Sequence, residues 1–273
     1  MDAALQNKSG KRYVLDRPAI ELAIAEVRFL SDVEAIPQET GLEFREAVRG
    51  SGLAMDQLEP IVTQEINIEM TPAGGRATGR SAAQGWACRD TGTGRLVTLM
   101  PFSVAVQTQG YGRWSDTFEP VLAVALEGVG ALLQPSLRTR VGLRYVNRFA
   151  NPNARSAHDW ASTFDAALLG PVVAGPIADV IRSSQQQLEL SWDEGIGGLI
   201  RHGAFVDPAV NGAYSYLLDL DLSDSSTEPF DPSDCLRRLT ALNRKAAELF
   251  RSLVTESHLE ERGIKVESEE DPQ

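Results

Sequence analysis

The sequence predicts an α+β protein made of two similar halves around a pseudo-two-fold axis. Short stretches of alternating apolar and polar residues are separated by glycine-rich turns, which is typical of antiparallel strands. Two long segments carry apolar residues at the spacing of one helix face. Both halves show these features in the same order: strand, short helix, antiparallel meander, long helix. A chain of 273 residues, 42% of them hydrophobic, is long enough to bury a sizeable core.

Four segments are expected along the chain. They are an irregular N-terminus at 1–17, a first α+β half at 18–136, a second α+β half at 137–256 and an acidic flexible tail at 257–273. The tail is rich in glutamate, which favours a solvated chain end.

The first half is expected to open with a strand at 19–30, in which Ile20, Leu22 and Ile24 form one face. A short helix and a strand follow, then a mobile loop at 71–84 and three meander strands. Ser115 is expected to cap the long helix. The remaining predicted bounds are 41–48 and 116–133 for the helices, and 61–70, 85–90, 95–100 and 102–108 for the strands.

The second half is expected to open with a strand at 138–149. A helix and three strands follow, with predicted bounds of 158–169 for the helix and 178–192, 195–206 and 213–223 for the strands. Asp231 is expected to cap the long final helix, because Pro232 suits its first turn.

The two halves match at a constant separation in sequence, which indicates an internal repeat. Leu122 aligns in this way with Leu239, and Leu132 with Leu249. The leading strands are then expected to be neighbours at the axis, with Arg28 and Arg144 in related positions and close together. Chance similarity between two ordinary α+β units is the alternative.

The strand at 138–149 has an unusual charged side. Its predicted buried side is formed by Val141, Leu143, Tyr145, Asn147 and Phe149, and its other side by Arg138, Arg140, Gly142, Arg144, Val146 and Arg148. Arginine offers five donors that fit carboxylates and phosphates. The candidates for binding an anion or a partner are Arg28, Arg140, Arg144, Arg148, Asn147, Tyr111 and Trp114.

Each candidate also has a structural interpretation. The arginines are more simply explained by cross-strand ion pairs with carboxylates on neighbouring strands, namely Glu21, Glu26, Asp219 and Asp221. Asn147, on the apolar side, is expected to pin the backbone through hydrogen bonds. Tyr111 and Trp114 precede the first long helix and are expected to fasten it to the sheet.

The sequence offers no catalytic residues, cofactor or metal site to predict. It lacks a phosphate loop and the common hydrolase motifs. His158, His202 and His258 follow no metal-ligand spacing. Cys88 and Cys235 are expected to be free thiols of a reducing cytoplasm, with a single disulfide between them as the alternative. Apolar runs are too short for a membrane helix. A net charge of -12 argues against nucleic acid as the main partner.

Several segments together resemble a sporadically distributed family of uncharacterised prokaryotic proteins. The core is Val141-Gly-Leu-Arg-Tyr-Val-Asn-Arg148, which carries the family's Gly-Leu-Arg-Tyr-x-Asn-Arg motif. Supporting segments lie at 25–29, 111–118 and 249–256. The resemblance implies a bacterial cytosolic protein and assigns no catalytic residues. The family's patchy distribution suits a mobile-element, defence or toxin–antitoxin role.

The sequence therefore predicts a non-enzymatic, cytoplasmic interaction protein that binds a protein partner, in the manner of an antitoxin, immunity or defence protein. The alternative is a binder of, or an enzyme on, a small anionic ligand, such as a phosphorylated one, held by the arginines. Membrane binding is not expected, and the oligomeric state is left open.

Overall fold

The structure is a computed structural model that describes residues 12–71, 74–174, 176–192 and 195–267. The N-terminal part, as far as the first long helix, comprises eight elements. They are β1 (Arg12–Leu15), β2 (Ile20–Phe29), α1 (Gln38–Arg49), β3 (Gln57–Thr71), β4 (Gly74–Asp90), β5 (Arg95–Met100), β6 (Ser103–Thr108) and α2 (Glu119–Leu132).

The C-terminal part opens with the arginine-rich strand. Its elements are β7 (Leu137–Ala150), α3 (Ala166–Leu169), β8 (Gln186–Ser191), β9 (Ile196–Asp207), β10 (Ala213–Asp224), β11 (Glu228–Pro229), α4 (Pro232–Leu253), α5 (Glu256–Glu261) and β12 (Ile264–Glu267). The α4 helix begins as predicted, because the Asp231 side chain accepts a hydrogen bond from the Ser233 amide and Pro232 occupies the first turn.

One ten-stranded antiparallel sheet organises the protein. Its strands lie in the order β3-β4-β5-β6-β2-β7-β10-β9-β8, and β11 pairs with one end of β7. The leading strands β2 and β7 are neighbours, as the sequence predicted. Each is flanked on its other side by the last meander strand that follows it, β6 or β10. β1 and β12 form a separate two-stranded sheet.

Helices cover one face of the sheet. α2 lies between α1 and α4, with α2 packed on β6 and α4 on β7 and β10. The strands direct apolar side chains such as Val27, Leu143 and Leu220 toward this layer, where they join helix residues such as Leu126 and Leu239 in one core. None of the described helices packs on the opposite face, an arrangement that antiparallel sheets tolerate.

The sequence predicts two faces for the first strand but not which of them is buried. Ala23, Ala25 and the aromatic Phe29 are buried under the helices, whereas Leu22 and Ile24 are half-buried on the other face. Alternation shows only that two faces differ. The packing of the helices decides which face becomes the core.

Three predicted segments and one predicted helix cap differ from the structure. Ser115 does not cap α2, because it lies inside a turn at Trp114–Phe118, donates its hydroxyl to Asp116 and precedes the helix start at Glu119. The predicted loop at 71–84 is largely strand β4, because its small residues still supply the backbone groups that β3 pairs with. The predicted strand at 178–192 is confined to Gln186–Ser191, and 178–180 forms a 3-10 turn. The predicted helix at 158–169 is a 3-10 turn followed by the short α3.

Both chain ends are more ordered than predicted. Residues 12–15 form β1, and the expected flexible tail continues through α5 to β12, which pairs with β1. Leu15 and Ile264 pack against the core and explain this order. The remaining parts of the predicted irregular ends, 1–11 and 268–273, lie outside the described residues.

Candidate functional site

The helix-free face of β2, β7, β10 and β9 carries interleaved arginines and carboxylates. We call this set the arginine face. Its members are Glu21, Glu26, Arg28, Arg140, Arg144, Arg148, Arg201, Asp207, Asp219 and Asp221. The period-two geometry of four neighbouring strands brings these residues together from distant parts of the chain.

Asp219 is the centre of the arginine face. It accepts two hydrogen bonds from Arg144, from Nε and Nη2 at 2.8 Å each, and a third from Arg201 Nη1 at 3.2 Å. The Asp219 side chain is only 2% exposed, whereas each of the two arginine side chains is 40% exposed. The hydrogen bond with Asp219 raises the pKa of Arg144. The carboxylate is therefore buried beneath two guanidinium groups that face solvent.

Arg140 bridges two strands across a glycine. Its guanidinium contacts Glu26 of β2 and Asp221 of β10, both at 3.1 Å. A Cβ atom at Gly142 would collide with this guanidinium group. Gly142 thus leaves the space in which Arg140 lies flat on the sheet, which is a physical reason for glycine inside a central strand.

The two ends of the arginine face are also paired. Arg148 forms ion pairs with Glu21 and with the buried Asp207. The pKa of Asp207 is lowered, most by the Ser215 hydroxyl and next by Arg148, although burial of the carboxyl acts to raise it. At the other end, Arg28 Nε donates to Glu26 at 2.8 Å and shares that carboxylate with Arg140.

Arg28 and Arg144 are not adjacent, in contrast to the prediction. In the β2–β7 register Arg28 lies opposite Arg140, and Arg144 lies opposite Ile24. The strands are neighbours as predicted, but their antiparallel register separates these two arginines. That register could not be predicted from the sequence alone.

Five arginines and five carboxylates make the arginine face neutral in sum. The charges are nevertheless layered. Asp207 and Asp219 are buried, while Arg28 is 53% exposed and Arg144 and Arg201 are 40% exposed. Since Arg144 uses only Nε and Nη2 on Asp219, its Nη1 has no acceptor among the described residues. The surface thus presents hydrogen-bond donors held in fixed positions.

Asn147 lies on the helix-covered face and is only 2% exposed. Its Nδ2 donates to the Leu218 carbonyl at 3.1 Å and to the Tyr145 carbonyl at 3.4 Å. The bond to Leu218 links β7 to β10, and the bond to Tyr145 lies within β7. This is the backbone-pinning geometry that the sequence predicted.

Tyr111 and Trp114 also lie on the helix side, away from the arginine face. The Tyr111 hydroxyl is 3.1 Å from that of Tyr145, which donates to Asn243 of α4 at 2.9 Å. Trp114 stacks on Phe118 with a ring-centroid distance of 5.8 Å. Burial raises the pKa of Tyr111, so its hydroxyl stays protonated. The contacts fasten the start of α2 to the sheet.

Arg138 does not belong to the arginine face, contrary to the prediction. The β2–β7 register shifts between Arg28 and Phe29, so that Thr139 is the extra residue of a β-bulge. Arg138 therefore lies opposite Phe29 and beneath α4, where its side chain is fully buried beside Asp224 and Asp234. A single inserted residue reverses the side to which a strand residue points.

Sequence reasoning missed two members of the arginine face. Arg201 follows the alternation of β9, and Asp207 ends the same strand. Their position beside Asp219 and Arg148 depends on β9 pairing with β10. Alternation marks such residues as polar but does not identify the neighbouring strand.

Together, the fold and the arginine face define an α+β protein with one helix-covered sheet face and one charged, helix-free face. No helix in the described part of the chain is long and apolar enough to cross a membrane. Cys88 and Cys235 are free thiols, as predicted, and both are buried. Within the described ranges, no group of three or more His, Cys, Asp or Glu residues is arranged to hold a metal ion.

Comparison with known proteins gives no family. No protein-family model and no curated protein matches the chain. Two solved structures of the S. pombe RNA triphosphatase Pct1 are weakly similar. The complex with the Spt5 CTD has 10% identity and a TM-score of 0.12, covering 86% of this chain and 82% of that chain. Pct1 alone has 12% identity and a TM-score of 0.11, covering 86% and 81%. TM-scores this low support no conclusion about the fold or function of this protein.

Proposed function

We propose that this protein is a non-enzymatic, cytosolic interaction protein that binds a protein partner through the arginine face. The observation that carries the proposal is the layering of charge, with buried carboxylates holding exposed guanidinium groups in place. Arginines fixed in this way lose little side-chain entropy when a partner docks. Arginine is also enriched among the residues that dominate protein interfaces.

The ion pairs of the arginine face favour a protein over a small anion as its ligand. All five arginines of the arginine face already contact carboxylates, so a free phosphate would have to compete with them. A protein surface supplies both acceptors for the outer N–H groups and donors for the partly buried acids Glu26 and Asp221, which are 23% and 25% exposed. Nucleic acid is disfavoured because the chain carries a net charge of -12.

The resemblance of the sequence to a sporadically distributed prokaryotic family supports the more specific proposal of an antitoxin-like, immunity-like or defence-associated protein. In such a role the partner is a protein whose activity is blocked or directed by docking. The partner then needs carboxylates or carbonyl oxygens that reach the outer N–H groups of Arg28, Arg144 and Arg201.

We also propose that the two halves arose by duplication and are related by a pseudo-two-fold axis between β2 and β7. The strand order supports this, since each half places its first meander strand, β3 or β8, at a sheet edge and its last beside its own leading strand. The adjacent packing of α2 and α4 also supports it.

Two exposed arginines, one on the arginine face and one outside it, test whether the arginine face is the binding surface. Arg28→Ala leaves Glu26 paired with Arg140, and Arg237→Ala leaves Asp234 paired with Arg238. A protein partner is first captured from the native cell extract, identified and purified, and its affinity is measured by calorimetry. We expect Arg28→Ala and Arg144→Ala each to weaken binding by about tenfold, or ~1.4 kcal/mol, and Arg237→Ala to leave it unchanged.

A thermal-shift screen distinguishes a protein-binding surface from a binding site for a small anionic ligand. A ligand at ~100 times its dissociation constant adds about 2.7 kcal/mol of stability. If phosphates or carboxylates raise the melting temperature of the wild type but not of Arg144→Ala, the arginine face is a small-ligand site. Equal loss of partner affinity in Arg28→Ala and Arg237→Ala would also overturn the proposal.

A further inference from the structure

The two edges of the large sheet differ in their protection against further strand pairing. β3 carries the exposed Pro60, whose missing N–H donor is of the kind that guards edge strands. β8 has the sequence Gln-Gln-Leu-Glu-Leu-Ser, in which Glu189 is an exposed charge, but it has no proline, no basic residue and no register shift against β9. The β8 edge is therefore open to another strand.

The hydrogen-bond pattern shows which backbone groups of β8 point outward. The Ser184 amide donates to the Ala204 carbonyl at 2.9 Å, and the Trp192 amide to Ile196 at 2.9 Å. In an antiparallel ladder the bonded residues recur at every second position. The even-numbered residues of β8 thus face β9, and Gln187, Glu189 and Ser191 direct their N–H and C=O groups away from the sheet. Among the described residues, only β9 pairs with β8.

We propose that β8 pairs antiparallel with β8 of a second copy of this chain, with the two-fold axis at Leu188. This register is selected by the outward groups, because Gln187 of one copy then exchanges backbone hydrogen bonds with Glu189 of the other. Two ten-stranded sheets become continuous across the dimer.

The side chains match the same register. Leu188 is 41% exposed, although its neighbours Leu190 and Trp192 pack against the core. At the axis it contacts its own equivalent and loses that exposure. On the other sheet face, each Gln187 amide lies opposite a Glu189 carboxylate, so that the two glutamates are never directly opposed.

A second copy of this chain fits this edge, because the two-fold axis at Leu188 places each Gln187 opposite a Glu189 and each Leu188 opposite its equivalent. No other part of the chain is needed to form the pairing. The net charge of -12 on each chain opposes association. Salt largely screens this repulsion between charges more than about 8 Å apart at physiological ionic strength.

Disulfide trapping tests the dimer and its register together. In an antiparallel pair, non-hydrogen-bonded residues have Cα atoms about 4.5 Å apart, which is within disulfide range. Leu188→Cys is expected to cross-link two full-length chains under mild oxidation. Ser191→Cys is the control, because in this register its equivalents are six residues apart along the strand, or about 20 Å. The native cysteines are buried and do not interfere.

Gln187→Pro tests the same edge without cross-linking. It removes an outward donor and leaves the β9 ladder intact, so the melting temperature under dilute, monomeric conditions is expected to stay close to that of the wild type. By light scattering, the wild type is expected at twice the chain mass of 29.7 kDa and Gln187→Pro at the monomer mass. A monomeric wild type, a dimer that survives Gln187→Pro, or equal cross-linking of Ser191→Cys and Leu188→Cys overturns the proposal.

Discussion

At the scale of single residues, Arg138 shows how burial gives a charged side chain a structural role. Its Nη1 donates to the Ser226 carbonyl at 2.9 Å, and its Nε to Asp234 at 3.3 Å. The side chain is completely buried, so these partners replace water. The same residue type is solvent-facing two positions later at Arg140, because the bulge at Thr139 separates the two faces.

We predict that Arg138→Met lowers the free energy of unfolding by about 3–5 kcal/mol, since it leaves the buried carboxylate of Asp224 without one of its cationic partners. Urea unfolding followed by circular dichroism measures the change. Arg237→Met is the control, because its side chain is 72% exposed and its loss is expected to cost less than ~1 kcal/mol. Similar losses for both variants would show that Arg138 does not hold this interface.

At the scale of elements, the start of α4 is joined to the end of β10 by charge. Arg238 of α4 donates to Asp224 of β10 and to Asp234 one helical turn earlier. Burial by itself raises the pKa of Asp224, but hydrogen bonds from Ser226 and Arg238 outweigh it and lower the pKa below its ordinary value of 3.8. The pKa of Asp234 is lowered in the same way, against burial, by Arg238.

Lowered carboxyl pKa values give the pH dependence a definite sign. The stability contributed by Asp224 and Asp234 is present above the unfolded value of 3.8 and is lost as the pH falls through the lower folded values. We therefore predict that the free energy of unfolding decreases between about pH 5 and about pH 2. Asp224→Asn is expected to be less stable at neutral pH and less sensitive to acid. An unchanged pH slope in this variant would exclude Asp224 as a source of the effect.

At the scale of the whole molecule, the sheet makes the two halves depend on each other. β2 pairs with β7 along most of its length, and α2 packs against α4. The buried apolar residues of both halves belong to one cluster. Separating the halves would expose the edges of both central strands and one side of each long helix.

We therefore predict one cooperative unfolding transition for the full chain, with equal calorimetric and van't Hoff enthalpies. Fragments 12–136 and 137–267 are each expected to lack a cooperative transition when produced alone. Two separate transitions, or an independently folded fragment, would show that the halves are autonomous domains.

Much of the fold could be predicted because local chemistry determines it. Asp231 and Pro232 specify the start of α4, and the alternation around Leu143 specifies a strand. The candidate site was partly predictable as well, since the pairing of Arg144 with Asp219 follows from complementary charges on polar strand faces. Arg201 and Asp207 were not predicted, because their place depends on which strands are neighbours.

By itself, the sequence determined the α+β class, the start of α4 and the hydrogen-bonding role of Asn147, because period, capping and hydrogen-bonding capacity are local properties. Only the tertiary structure decided which face of β2 is buried, that Arg138 turns inward and that, among the described strands, β8 pairs with β9 alone. These features depend on register and on helix packing, which are set by contacts between residues far apart in the chain.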